Sequence, residues 1–257
     1  MEAPKKLTVE KVMDWLKMGL RLFVLTPWNW ILISFMLLAL VAVFSLLPMG
    51  DLILAFLLPF LMGGLYLAMH QFAQKGKPPE VGDLLLGFQE KKWKPLLALG
   101  LINIGVGVAM AMIMAFSLMV ILGLMGELST LEHLPLDGLG QAQMQSLLQG
   151  DLGFALMLSF LIALMAAVPW AMIAWFAVPL IALGEREAMA ALKESFMACW
   201  QNLWPITLFM LLQGAVLLLG AMFFGIGLLV AVPVVLLANF CAFSDIFSPA
   251  EEAKPPG

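Results

Sequence analysis

The chain has 257 residues, of which 63% are hydrophobic and 12% charged. Soluble globular domains run at roughly 45–50% apolar and about 25% charged, so an ordinary soluble domain is excluded. Lys and Arg number 13 against 17 Asp and Glu, a net charge of -4, so there is no basic excess to neutralise phosphates and nucleic-acid binding through a basic surface is disfavoured.

The first element is an amphipathic helix ahead of the first apolar run. Val9, Val12, Met13, Leu16, Leu20 and Phe23 recur at helical spacing, with Glu10, Lys11, Asp14, Lys17 and Arg21 on the other face, a pattern for a helix lying in a membrane interface. The charged stretch 1–21 and the lack of a small-residue cleavage site predict that the first apolar helix is retained. Stretches without Asp, Glu, Lys or Arg follow at 22–50, 52–74, 95–126, 152–184 and 201–244. A membrane-crossing helix needs about 20 apolar residues, so the last stretch accommodates two, turning near 220–227. Six helices are predicted, at about 30–47, 52–69, 96–124, 152–183, 203–223 and 225–243. No segment has the short alternating pattern of a transmembrane barrel strand. The predicted fold is therefore all-α, a polytopic transmembrane bundle forming one membrane domain, with 248–257 as a short disordered tail.

The amphipathic device occurs three times. It precedes the third helix, where Val81, Leu84, Leu85 and Phe88 follow Pro78-Pro79, and the fifth, as Met189, Leu192, Phe196 and Cys199. Each elbow turns into the next helix through a Trp-bearing corner: Trp28-Asn29-Trp30-Ile31, Trp93-Lys94-Pro95-Leu96 and Leu203-Trp204-Pro205-Ile206. Three hairpins, each introduced by an interfacial elbow, account for the chain, with repeat units about 8–70, 78–183 and 187–247. Six of the eight Trp, at 15, 28, 30, 93, 200 and 204, fall in or beside the elbows and are expected to anchor at the headgroup level.

With six spans, all 13 Lys and Arg fall on the amino-terminal side, while the opposite side holds Asp51, Glu127, Glu132, Asp137 and Asp151. Cations gather on the cytoplasmic side, so both termini are expected there. Cys199 and Cys241 fall near cytoplasmic helix ends and are read as reduced packing residues.

The elbow Gly19-Leu20-Arg21-Leu22-Phe23 leading to Pro27, the segment 190–196 with Asn202 and Pro205, and the terminal run 242–247 resemble the uncharacterised proteobacterial BPSS-type family of inner-membrane proteins. The resemblance spans nearly the whole chain and its motifs are architectural. It implies a bacterial inner membrane and six helices, and no mechanism. Where the family has Tyr-Arg before its terminal Asp, this chain has Phe243-Ser244, so no role for that pair carries over.

Chemistry-bearing residues are few. Helix centres lack ionisable side chains other than Tyr66, which argues against an ion-coupled pump. Asn103, Gln213 and Asn239 are the candidate packing or cavity amides, since an amide in lipid needs a partner; Ser34, Ser117 and Ser159 can bond backbone or neighbouring helices, with interhelical glue the favoured reading. Pro59, Pro169, Pro179 and Pro233 interrupt the return helices, and Pro59, Pro179 and Pro233 fall at related places, a shared packing geometry in preference to a transport path. Gly107, Ala111 and Ala115 form a row that favours close helix approach. The third and fourth helices, about 29 and 32 residues, reach ~43–48 Å and must tilt or project beyond a ~30 Å core.

The outer loop 125–151 holds Glu127, Glu132, His133 and Asp137 without metal-motif spacing. Its leucines, including Leu131 and Leu134, suit a partner or the outer leaflet, and Trp170 and Trp175 are further candidate partner or lipid contacts. Met110, Met112 and Met114 alternate and cannot share one face for Cu(I), and His70 is read as an interfacial histidine. Without a nucleophile and base, a metal set or a phosphate loop, the sequence predicts no enzyme, no cofactor and no metal. The expected partners are membrane lipids and a membrane protein. Two functions fit: a non-catalytic scaffold or accessory subunit, or a passive transporter of lipid-like small molecules. A polar cavity at Asn103, Gln213 or Asn239 favours transport, and a packed bundle with a groove at the elbows favours the scaffold or lipid binding.

Overall fold

A run of apolar residues that shields its own backbone polar groups has to be helical, and the computed structural model follows that rule. It describes residues 4–89, 92–126, 150–222 and 225–247. Among these there are nine α-helices, one 3-10 helix and no strand. In chain order they are α1 (Lys11–Leu25), α2 (Pro27–Ser45), α3 (Gly50–Lys75), the 3-10 helix η1 (Val81–Phe88), α4 (Trp93–Met125), α5 (Asp151–Ala174), α6 (Ala177–Ala182), α7 (Ala188–Gln201), α8 (Leu203–Met222) and α9 (Leu228–Phe247). Six helices are long and apolar enough to cross a membrane: α2, α3, α4, the joined stretch Asp151–Ala182, α8 and α9. The chain is thus a multi-pass helical membrane protein.

The chain divides into two compact units, Met1–Asn103 with Met172–Gly257, and Ile104–Ala171. In the second unit Leu122, Leu152 and Ala155 pack together, while Phe116, Leu124, Phe154 and Met165 stay exposed, as lipid-facing side chains do. Ser117 and Ser159 donate to the carbonyls of Met114 and Ala155 in their own helices, so they bind their own backbone and are not the interhelical glue expected of them. Gly107, Ala111 and Ala115 are exposed.

The first unit holds the elbows, and each packs on a return helix. α1 lies against α9, where a Cβ on Gly19 would sit 2.7 Å from the Ala238 nitrogen and 2.8 Å from the Val234 oxygen. η1 lies against α3, where Gly64 and Gly87 leave room only for backbone: a Cβ on either would strike the carbonyls of Leu84 or Phe60. α7 lies against α6 and turns a small-residue face inward: Ala188, Ala191, Ser195 and Ala198. Elbow two thus packs on the return helix of hairpin one, elbow three on that of hairpin two, and elbow one on that of hairpin three, closing the circuit.

Four further expectations are corrected. The second elbow is a 3-10 helix: Gly82 and Gly87 weaken an α-helix, and a capping box between Glu80 and Asp83 holds the tighter turn. The buried stripe of α1 is Val12, Trp15, Gly19 and Phe23, whereas Val9, Met13 and Leu20 are about half exposed, so α1 has one apolar flank for α9 and another left open. Trp15 and Trp30 are core residues 2% and 1% exposed, not interface anchors, because α9 and α3 cover them; Trp28, Trp200 and Trp204 are exposed. The fourth helix breaks at Trp175-Phe176, ahead of Pro179, which has no N–H for the Trp175 carbonyl.

Because Gly19 meets backbone and not a flexible side chain, Gly19→Val is expected to destabilise the folded chain by about 1–3 kcal/mol. Gly105→Ala, in open space, is expected to be neutral or stabilising. Thermal unfolding in mild detergent compares the two.

Candidate functional site

Every corner between an elbow and its span carries one polar side chain that reaches the backbone leading into the next elbow. At the first, Asn29 on α2 donates through Nδ2 to the Pro79 carbonyl at 2.8 Å, two residues before η1. At the second, Lys92 beside α4 donates through Nζ to the carbonyl of Ala182, the last residue of α6. At the third, Asn202 accepts from the Leu7 N–H at 2.7 Å and donates to the Lys5 carbonyl at 2.9 Å, ahead of α1. Lys5 in turn donates its N–H to the Ile246 carbonyl at 3.0 Å, binding the amino-terminal segment to the end of α9. Burial pulls the Lys92 ammonium below its ordinary range, and Glu185 offsets part of that.

Each elbow also has an ion pair: Lys11 with Asp245 at 3.9 Å, Lys77 with Asp83 at 3.5 Å and Arg186 with Glu194 at 3.1 Å. These pairs are partly exposed and contribute little. Asp245 does more as an acceptor, since the Trp15 Nε1–H donates to it at 2.8 Å and the Trp15 ring meets Phe209 edge-on. At the third elbow the Ser195 hydroxyl enters the helix break, accepting from the Phe176 N–H and donating to the Met172 carbonyl, both at 2.9 Å. Those two backbone groups would bond each other in an unbroken helix, so the hydroxyl replaces the lost rung. Burial pushes the neighbouring Cys199 thiol up to about 12, which keeps it neutral.

Of the candidate amides, Gln213 on α8 and Asn239 on α9 bond each other reciprocally, Nε2 to Oδ1 at 3.1 Å and Nδ2 to Oε1 at 3.2 Å. Gln213 is buried and Asn239 half-buried; Asn103, half-buried on α4, takes no part in the pair. Trp170 and Trp175 are also half-buried. Leu131 and Leu134, with Glu127, Glu132, His133 and Asp137, lie outside the described residues. Met112 and Met114 are exposed and Met110 half-buried, so the three do not form one set. No group of three His, Cys, Asp or Glu among the described residues is placed to hold a metal ion.

Four buried polar atoms among the described residues have no hydrogen-bond partner: Thr26 Oγ1, Trp30 Nε1, Ser34 Oγ and Trp175 Nε1. Trp30 and Ser34 share one face of α2, and Thr26 is the residue immediately ahead of that helix, four residues before Trp30.

A groove of about 420 Å³ opens at the second elbow between α3, η1 and the start of α4, lined by Phe56, Phe60, Phe88, Trp93 and Leu97. Phe60 and Phe88 stack at 4.6 Å with ring planes 8° apart. Sequence reasoning assigned Phe88 to an amphipathic face and Trp93 to an anchor; their meeting with Phe56 and Phe60 depends on η1 folding back along α3, which periodicity does not encode. Nor did it single out Asn29, Lys92 or Ser195, though the two asparagines beside Trp corners were a visible signal. Comparison with protein-family models, with curated proteins and with solved structures finds no match.

If the Gln213–Asn239 pair is packing, Gln213→Leu or Asn239→Leu alone leaves one amide unpaired and lowers stability by about 1–2 kcal/mol. The double substitution to Leu is expected to recover most of that loss in the same thermal unfolding assay.

Proposed function

We propose that the chain is a non-catalytic scaffold or accessory subunit of a bacterial inner membrane, with both termini in the cytoplasm. The observation that carries this reading is the mutual pairing of Gln213 and Asn239: two of the three candidate cavity amides bond each other across neighbouring helices, as packing groups in lipid do. Orientation rests on the collection of all 13 cations on the elbow side of the spans. The exposed apolar flank of α1 is a surface suited to a membrane-protein partner and to lipid, and the leucines in the sequence stretch 125–151 suit the same contacts.

A second reading, passive transport of lipid-like small molecules, is favoured by the unpartnered stripe Thr26, Trp30 and Ser34 with Trp175, because buried polar groups in native proteins find partners. Extraction of the tagged protein into nanodiscs, followed by mass spectrometry, separates the two. The scaffold reading expects a stoichiometric membrane-protein partner that is lost when residues 127–149 are replaced by a short Gly-Ser linker. Recovery of the chain without a protein partner, together with solute flux in vesicles abolished by Ser34→Leu, would replace it with transport.

A further inference from the structure

We propose that the groove at the second elbow binds one acyl chain of an anionic bilayer phospholipid, with the phosphate held beside Lys94. The groove is a built feature. Gly64 and Gly87 bring η1 against the backbone of α3. Phe88, at the end of η1, is fixed face to face on Phe60, which is 3% exposed. Leu96 of α4 approaches α3 at Gly63, and Gly100 approaches the Phe56 carbonyl, so both walls are anchored one turn apart. Between these contacts the side chains leave a trough with an almost wholly apolar lining.

Charge selects the occupant. Trp93 forms one edge of the groove, and the exposed Lys94 holds its Nζ 6.0 Å from the centroid of that ring. This is the first turn of α4, whose backbone dipole also favours an anion. From there the groove descends one helical turn to Leu97 and Phe56, away from the cation. An apolar trough with a cation at one end matches an acyl chain ending in a phosphate, and basic pockets between membrane helices on the cytoplasmic side bind such headgroups. A zwitterionic lipid brings a cation of its own to Lys94, and a second protein chain would need a larger surface than this trough provides. The inference does not depend on the scaffold reading: a scaffold or a transporter could hold such a lipid.

The test uses the full chain in nanodiscs of equal phosphatidylglycerol and phosphatidylcholine, released gently into native mass spectrometry. The expected result is retained phosphatidylglycerol, with the preference falling about fivefold in Lys94→Gln and bound lipid lost in Leu97→Trp, which fills the trough. Equal retention of the two lipids, or an unchanged preference in Lys94→Gln, would overturn the proposal. Because Leu97→Trp can also disturb folding, phosphatidylglycerol with a photoreactive acyl chain is crosslinked to the unaltered protein. Adducts on the peptides containing Phe56, Phe60, Phe88 or Leu97 support the site, and adducts confined to other helices contradict it.

Discussion

A polar side chain at each corner, held on a backbone carbonyl ahead of the next elbow, is the interaction on which the arrangement of the first unit depends. Apolar helices gain nothing from the hydrophobic effect when they meet in lipid, so their order has to come from close packing and hydrogen bonds. The elbows supply both. Asn29, Lys92 and Asn202 bond Pro79, Ala182 and Lys5, and the last bond joins the beginning of the chain to its final hairpin. A hydrogen bond of this kind contributes roughly 0.5–1.5 kcal/mol net, but stranding its buried partner costs about 1–3 kcal/mol. The corners therefore act mainly by making alternative helix orders expensive.

Proline and small residues make those contacts close. Pro59, Pro179 and Pro233 lie where an elbow meets its return helix: beside Phe60, whose carbonyl faces Gly87; after the break that Ser195 enters; and beside Val234, whose carbonyl faces Gly19. Glycine or alanine on the elbow removes the side chain that would keep a neighbouring backbone away, and proline leaves a carbonyl of its own helix without an intrahelical donor. The same construction leaves the trough of Phe56, Phe60 and Phe88 at the second elbow, where η1 stops before α4 has begun.

The spans were legible because lipid demands long apolar helices and charge interrupts them; the expected 30–47 became Pro27–Ser45, and 225–243 became Leu228–Phe247. The elbows were legible as periodic amphipathic segments, but their faces were not. Period alone placed Val9, Met13 and Leu20 with Val12, whereas Gly19, invisible to a hydrophobic pattern, marks the side that meets α9. Trp15 and Trp30 looked like Trp28 and Trp204 in sequence, and only the position of α9 and α3 separates core from surface. Gln213 and Asn239 were identifiable as amides in need of partners; that they answer each other follows from the register of the α8–α9 hairpin, which no local signal sets. Among the described residues no such bond joins Asn103 to another amide.

The packing of α1 along α9 is the contact that closes the circuit, and it is accessible to direct measurement. Lys11→Cys and Asp245→Cys are introduced together in a chain with Cys199→Ala and Cys241→Ala, and membranes are treated with a short bis-maleimide. The account predicts an intrachain crosslink between the two positions, mapped by peptide mass, since these side chains meet at 3.9 Å in the native pair. Modification of both thiols without a crosslink would contradict it and place α1 elsewhere.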